Sequence, residues 1–245
     1  MSSSDWPLIM VVWFLVAGAA ALQSLSGFGF ALMLMPVMTL LLGVRTAAPL
    51  VALFGFSLYV TNVFRLFSHL RWRDLLPMAA AGALGVPLGV YALTTVDERP
   101  ISAVLGVLLL AYTGYALFQP QMVISLPRWA IWAAGFVGGV LGGAYNTSGP
   151  PVIICGRVSG WPRDEFRSTL QGFFLLTGLV TISSHFVAGH MNANVMRLYG
   201  LGLPALVVGV VTADRVDRQL NARAFHLIVN TLLMGMGASL LLRAM

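Results

Sequence analysis

Residues 135–162 read GFVGGVLGGAYNTSGPPVIICGRVSGWP, and residues 146–151 interrupt the otherwise apolar helical pattern of this stretch. Proline lacks the amide hydrogen that a helix needs, so a polar segment with two prolines breaks the helix. In a bilayer the freed backbone groups find no water, and a break persists where protein, a cavity or a ligand supplies partners. Transporters bind substrate at such breaks. The stretch therefore predicts a binding site, with a kink satisfied by neighbouring helices as the alternative.

The composition is that of a membrane protein. Of the 245 residues, 58% are hydrophobic and 9% are charged, and the mean hydropathy is +0.88. Soluble domains contain about 25% charged residues, so we predict an all-α polytopic membrane protein embedded in a lipid bilayer. The single cysteine, Cys155, excludes an intramolecular disulfide and a cysteine metal cluster. Neither a metal nor a cofactor is expected, because the sequence has no metal-ligand spacing and no nucleotide fingerprint.

Charged and turn-forming residues separate the apolar segments of the chain into eight candidate transmembrane helices, since about 20 apolar residues are needed to cross a bilayer. The first and the fifth candidate contain a break. The eight spans are residues 7–43, 47–68, 75–95, 101–118, 129–157, 166–188, 195–213 and 222–242.

The second half of the chain repeats the first at a constant offset of 120 residues. Glycines and an aspartate coincide at this offset in Gly18/Gly138, Gly29/Gly149, Gly82/Gly202, Gly89/Gly209 and Asp97/Asp217. Such matches at one register predict an internal duplication. We therefore predict two four-helix repeats, residues 1–120 and 121–245, with the first helix of each repeat broken.

The duplication gives the break a counterpart in the first half. Residues 24–30, SLSGFGF, fall opposite residues 144–150, AYNTSGP. Two breaks at equivalent positions are harder to explain as unrelated kinks than one break, and they predict a substrate site between the two broken helices.

Loop arginines predict the orientation of the chain. All 14 basic residues are arginine, and the net charge is +6. Eight spans that start outside leave eight arginines inside and six outside, which places both termini in the periplasm. Four spans per half make the repeats parallel, whereas a broken helix that crosses twice makes them inverted. The equivalent positions of Arg45 and the Arg163/Arg167 pair favour the parallel count.

The eight acidic residues all lie in predicted loops or at helix ends, which disfavours a cation carrier or a carboxylate proton relay. Ionisable residues predicted within the spans are basic instead. Arg65, His69 and His185 are therefore candidates for charge compensation or proton coupling, the alternative for Arg65 and His185 being that they reach the outer interface.

Uncharged polar residues cluster at the two breaks and on the adjacent second and sixth spans. Their hydroxyl, amide and backbone groups suit the oxygens of an anion, although each alone could equally form an interhelical hydrogen bond. Together with one arginine they form the predicted substrate site: Ser24, Ser26, Gly27, Gly29, Asn62, Asn146, Thr147, Ser148, Gly149, Pro150, Arg167 and Gln171.

Two motifs resemble those of the TauE/SafE family of membrane proteins, the sulfite exporters. They are SLSGFGFALMLMP at 24–36 and GGAYNTSGPPVIICGRVSGWPRDEFRSTL at 142–170. The resemblance covers both repeats and implies a bacterial inner-membrane carrier for sulfite, sulfoacetate or related organosulfonates. It assigns motif roles to Gly27, Gly29, Pro36, Thr147, Ser148, Gly149, Pro150 and Arg167.

The sequence therefore predicts a secondary carrier for a small anion, working by alternating access, and not an enzyme. The alternatives are an anion channel and a membrane enzyme or assembly factor; for an enzyme, Ser148 and His185 lack a third catalytic member. A nucleic-acid partner is not expected, because no basic run is interleaved with aromatic residues. A coupling ion, proton or sodium, and a homodimer remain open at this stage.

Overall fold

The computed structural model describes residues 6–118 and 124–216, together with residues 231, 234–235, 237–238 and 241–242. The predicted all-α class is confirmed for this part of the chain, and the eighth predicted span, 222–242, lies largely outside it. A short 3-10 turn, Phe67–His69, follows the third helix. The helices are α1 (Trp6–Ser26), α2 (Phe30–Leu42), α3 (Val44–Leu66), α4 (Trp72–Thr95), α5 (Glu98–Phe118), α6 (Arg128–Tyr145), α7 (Gly149–Val158), α8 (Arg163–Val187) and α9 (Ala193–Val216).

Helix breaks occur at both predicted positions, residues 27–29 and residues 146–148. Gly27 and Gly29 have φ angles of +85° and +108°, and Asn146 has a φ of +55°. This left-handed conformation ends a helix, and glycine and asparagine adopt it most readily. In the second break Pro150 and Pro151 lie in the first turn of α7, where a missing amide hydrogen costs nothing.

Both breaks are hairpin turns rather than kinks in a continuous rod. A Cβ on Gly138 of α6 would lie 3.2 Å from Cγ2 of Val152 in α7, whereas 14 residues of straight helix span about 21 Å. Ile124, just before α6, donates its N–H to the carbonyl of Val158 at the end of α7 (2.8 Å). In the first half, Gly18 of α1 similarly lies beside Met33 of α2. Helices α2 and α7 therefore turn back along α1 and α6.

Helices α3 and α8, which the predicted duplication would make equivalent, run antiparallel. The Tyr59 ring packs on Phe174 with 5.3 Å between centroids. Nearer the end of α3, the hydroxyl of Ser168 donates to the carbonyl of His69 (2.6 Å). Residue numbers thus rise along α3 while they fall along α8. Parallel repeats would require these helices to point the same way, so the antiparallel pair favours the inverted arrangement, which the sequence left as the alternative.

Glycines allow two helix pairs to approach backbone to backbone. In α6, Gly135, Gly139 and Gly143 lie directly on the α4 backbone at Met78, Gly82 and Val86. Gly209 of α9 lies in the same way on the α1 backbone at Ala17. A side chain at these positions would overlap a carbonyl oxygen, so the small residues set the packing distance. Each pair joins one helix from the first half of the chain with one from the second.

Among the described residues, four helical segments are long and apolar enough to cross a membrane: Val44–Phe64, Trp72–Thr95, Arg163–Val187 and Ala193–Ala213. Helices α2 and α7 have 13 and 10 residues, which gives lengths of about 20 and 15 Å, short of the roughly 30 Å hydrocarbon core. The chain is a multi-pass membrane protein, while the number of eight spans and the duplication stay predictions.

Candidate functional site

The first break is held by two glutamine side chains. Gln171 of α8 donates from Nε2 to the carbonyl of Gly27 at 2.7 Å, and Gln23 of α1 donates to the same carbonyl at 3.3 Å. Gln23 also accepts the N–H of Phe30 on its Oε1 at 2.9 Å, so it closes the first turn of α2. Both side chains are 1% exposed. The predicted site residues Gly27 and Gln171 therefore do meet.

Arg167 of α8 supplies the positive charge at the first break. Its Nη2 donates to the carbonyl of Ser24 at 2.6 Å, and a Cβ on Gly27 would lie 3.0 Å from its Cγ. Ser24 lies in the last turn of α1, where carbonyl groups lack helical partners and the helix dipole is negative. The end of α1 thus compensates part of the charge of this arginine inside the bundle.

The second break packs against the start of α3. Asn146 donates from Nδ2 to the carbonyl of Ala48 at 2.6 Å. Thr147, Ser148 and Gly149 are buried, and Ser148 lies against Gly142, where a Cβ would be 2.8 Å from its Oγ. The predicted residues of this break form one cluster, which is buried except for the half-buried Asn146.

Pro150 and Pro151 change what the second break can offer an anion. Neither proline has an N–H, so of the first four residues of α7 only Gly149 and Val152 carry backbone donors. Hydroxyl and amide side chains are therefore the main donors at this break, whereas the α2 start has a full set of backbone N–H groups, one of them bonded to Gln23.

Helix α8 contacts both breaks within one helical turn. Gln171 bonds the first break, and the Phe174 ring lies 3.8 Å from the position of a Cβ on Gly149 in the second. The breaks nevertheless lie towards opposite ends of the antiparallel α3 and α8 pair, since Gly27 contacts the first turns of α8 and Asn146 contacts the first turns of α3. The space between the breaks is therefore bounded by α3 and α8.

Four predicted site residues bury polar atoms that have no hydrogen-bond partner in the structure. The atoms are Ser24 Oγ, Asn62 Nδ2, Thr147 Oγ1 and Gln171 Oε1. Asn62 is one turn beyond Tyr59, and Gln171 one turn before Phe174, so the antiparallel register places them at the same level. A buried polar atom without a partner costs about 1–3 kcal/mol. A ligand that bonds these atoms would remove that cost.

The residues predicted for charge or proton coupling differ in position. His69 lies in the 3-10 turn after α3 and its side chain is exposed, so it is not within a span as predicted. Arg65 is in the last turn of α3, and neither its side chain nor that of Ser26 is among those that the structure describes. His185 is fully buried and bonds His190, a residue that the sequence analysis did not single out.

Arg71 forms an ion cluster with two carboxylates beside the N-terminal end of α8. The sequence did not predict this cluster. Arg71 donates from Nη1 to Glu165 at 2.6 Å and from Nε to Asp74 at 2.8 Å. Its backbone N–H donates to Thr169 at 3.2 Å. These bonds tie the α3–α4 connection to the start of α8, one turn from Arg167.

A groove between α4 and α8 lies away from both breaks. It holds about 660 Å³ between α4 and α8 and is lined mainly by apolar groups, among them the exposed Tyr91 and Val187. None of the predicted site residues lines it, and its open apolar face suits lipid chains rather than an anion.

Comparison with known proteins identifies related sequences. The profile of the family described as Sulfite exporter TauE/SafE matches residues 10–240. The chain is 25% identical over 238 residues, 94% of this chain and 92% of the relative, to the "Probable sulfite/organosulfonate exporter TauE" of Cupriavidus necator. It is 27% identical over 177 residues, 71% of this chain and 74% of the relative, to the "Probable inner membrane transporter protein TsaS" of Comamonas testosteroni. No solved structure gives a significant match.

Proposed function

Since the chain belongs to the TauE/SafE family of sulfite exporters, we propose that it moves a small sulfur-containing anion across the bacterial inner membrane by alternating access. Sulfite, sulfoacetate or a related organosulfonate is the substrate. The family consists of membrane transporters, so the protein is a transporter and not an enzyme.

The observation that supports this proposal best is the set of unpartnered buried polar atoms between the breaks. Asn62 Nδ2 and the hydroxyls of Ser24 and Thr147 can donate hydrogen bonds to anion oxygens. Arg167 adds a positive charge whose Nη2 already bonds the end of α1. Bonds from neutral donors to an ionised acceptor contribute about 1.5–3 kcal/mol each, enough for a transporter affinity with few contacts.

An anion placed between α3 and α8 would link the two breaks. It would lie at the level of Asn62 and Gln171, with the α2 start on one side and Thr147 on the other. Of the described acidic residues at the nearby ends of α4 and α8, Asp74 and Glu165 are bonded to Arg71, and Asp164 is exposed. The charge around the bound anion is therefore positive or neutral.

Uptake by proteoliposomes tests the proposal. Purified protein should transport sulfite, sulfoacetate, taurine or thiosulfate, measured one at a time under gradients of pH, sodium and voltage. We expect saturable uptake of at least one sulfur anion, inhibited by the others according to affinity. Correctly oriented and folded protein that moves no small anion would contradict the proposal, and ion currents too large for a carrier cycle would show a channel.

A further inference from the structure

His185 and His190 form a close pair at the end of α8 opposite Arg71. Their Nδ1 atoms are 2.9 Å apart, with 5.2 Å between ring centroids. His185 is fully buried and its Nε2 has no partner, whereas His190 is half-buried in the turn between α8 and α9. Two imidazoles that meet through Nδ1 share one hydrogen, so one ring donates and the other accepts.

The antiparallel register that pairs Tyr59 with Phe174 places the last turn of α8 at the level of the first turns of α3. Arg45, in the first turn of α3, is the charged group that lowers the pKa of His190. The other titratable or charged groups on adjoining elements are Tyr91 of α4, beside the groove that Ser184 and Ala188 line, and Arg197 in the first turns of α9. No group of three His, Cys, Asp or Glu residues able to hold a metal exists in the part of the chain that the structure describes. The pair therefore suits a proton and not a metal ion.

The histidine pair is connected to the second break through α3. Arg45 is one turn before Ala48, whose carbonyl accepts the Nδ2 hydrogen bond of Asn146 at 2.6 Å. A movement of the first turn of α3 away from His190 would therefore also move the anchor of the second break.

We propose that His185 and His190 are a proton-binding site whose protonation separates the α8–α9 turn from the start of α3 and releases the second break. This inference rests on the proposed function, because it assigns the proton as the ion that acts on the same transport site. A proton on the accepting Nδ1 replaces the histidine hydrogen bond by two opposed N–H groups. A proton on Nε2 of His190 instead places a second positive charge beside Arg45.

The same contacts determine whether a lower pH strengthens or weakens the contact between the α8–α9 turn and α3. Burial, and then the positive charge of Arg45, lower the pKa of His190 from its ordinary value of 6.5. The histidine pair binds fewer protons when the α8–α9 turn contacts the start of α3 than when the two are separated. The contact is therefore stable above the ordinary histidine pKa and is lost as the pH falls below it.

Thiol labelling tests the proton site without reference to transport. In a Cys155→Ser background, Ala47→Cys places a thiol in the first turn of α3, at a position that is fully buried. The protein is held in nanodiscs, and the maleimide rate is divided by that of Ser125→Cys, an exposed position far from the pair. Between about pH 7.5 and about pH 5 we expect the normalised rate to rise roughly fivefold, as about 1 kcal/mol of repulsion would give.

Histidine variants provide the controls. His190→Gln and His185→Gln should each abolish the rise, whereas His69→Gln, an exposed histidine at the opposite end of α8, should retain it. A rise that persists in both pair variants, or its absence from the parent protein, overturns the inference. If Ala47→Cys does not fold, Thr46→Cys in the same turn replaces it.

Transport measurements separate this inference from the proposed function. If the labelling rate depends on pH but no anion is taken up, the proton site is supported and the proposed substrate class is refuted. Anion uptake with the same pH dependence in His190→Gln and the parent protein supports the substrate class and refutes the proton site.

Discussion

Thr147 and Thr113 are two buried threonines whose hydroxyl groups have no partner. They are 1% and 2% exposed, Thr147 at the second break and Thr113 inside α5. An unpartnered buried hydroxyl destabilises a fold, and only one of these two is beside the predicted anion. Substitutions at these two positions can therefore distinguish a hydroxyl that binds substrate from one that only packs in the protein interior.

Replacement of Thr147 by valine should weaken transport with little change in fold stability. Valine keeps the shape but removes the donor, and loss of a bond to an ionised acceptor costs about 1.5–3 kcal/mol. We expect the KM for the transported anion to rise about tenfold or more in proteoliposome uptake. Thr113→Val, with the same chemistry and burial, should leave KM unchanged. Equal effects of the two substitutions would remove Thr147 from the binding site.

Local chemistry explains which site residues could be identified from the sequence. The breaks were predictable because Gly27, Gly29, Asn146 and the prolines determine the backbone in their own vicinity. The bond from Arg167 to the carbonyl of Ser24 was not, because it joins residues 143 positions apart. His190 follows His185 by five residues across a turn, and only that turn brings the two rings together.

At the scale of the helices, the contact between α4 and α6 depends on glycine. Gly139 lies on the carbonyl of Gly82, and Gly85 lies on the α6 backbone at Val140. The sequence predicted where the two helices break, but a broken helix that reverses direction was only the alternative to four straight spans per half. Hairpin geometry depends on packing between α6 and α7, which the periodicity of apolar residues does not encode.

Gly139→Ala should destabilise the protein because its methyl group would overlap the carbonyl of Gly82. Overpacking typically costs about 1–3 kcal/mol, and we expect a lower midpoint of thermal unfolding in detergent. The matched control is Gly200→Ala in α9, where a Cβ meets no atom within 4 Å; alanine should be neutral or stabilise this helix by up to about 1 kcal/mol. A Gly139→Ala protein as stable as the parent would refute backbone contact between α4 and α6.

The topology of the whole molecule follows from the hairpins and the antiparallel α3 and α8. With α1 starting outside and every helix reversing direction, eight arginines at described positions lie at the inner side: Arg65, Arg71, Arg73, Arg128, Arg157, Arg163, Arg167 and Arg215. Three lie at the outer side: Arg45, Arg99 and Arg197. Positive residues are enriched on the cytoplasmic side. The hairpins therefore support a periplasmic N-terminus more strongly than the straight spans considered at first.

Two exposed positions test this topology in intact cells. In the Cys155→Ser background, Asp97→Cys should react with a membrane-impermeant maleimide, because the α4–α5 connection is outside. Ser125→Cys, before α6, should react only after the cells are opened. The straight-span arrangement with the same N-terminal side predicts the reverse for both positions, so the reversed result would refute the combination of hairpins with a periplasmic N-terminus.

The glycine contacts of α4 with α6, and of α1 with α9, have a consequence for how the two halves of the chain depend on each other. Each half of the chain contributes a helix that covers a glycine face belonging to the other half. The two halves are therefore interlocked in the way that the subunits of a domain-swapped dimer are. Residues 1–120 made alone would expose the glycine face of α4, and residues 121–245 that of α6. For the proposed alternating-access cycle we therefore expect the moving bodies to contain helices from both halves, instead of one half each.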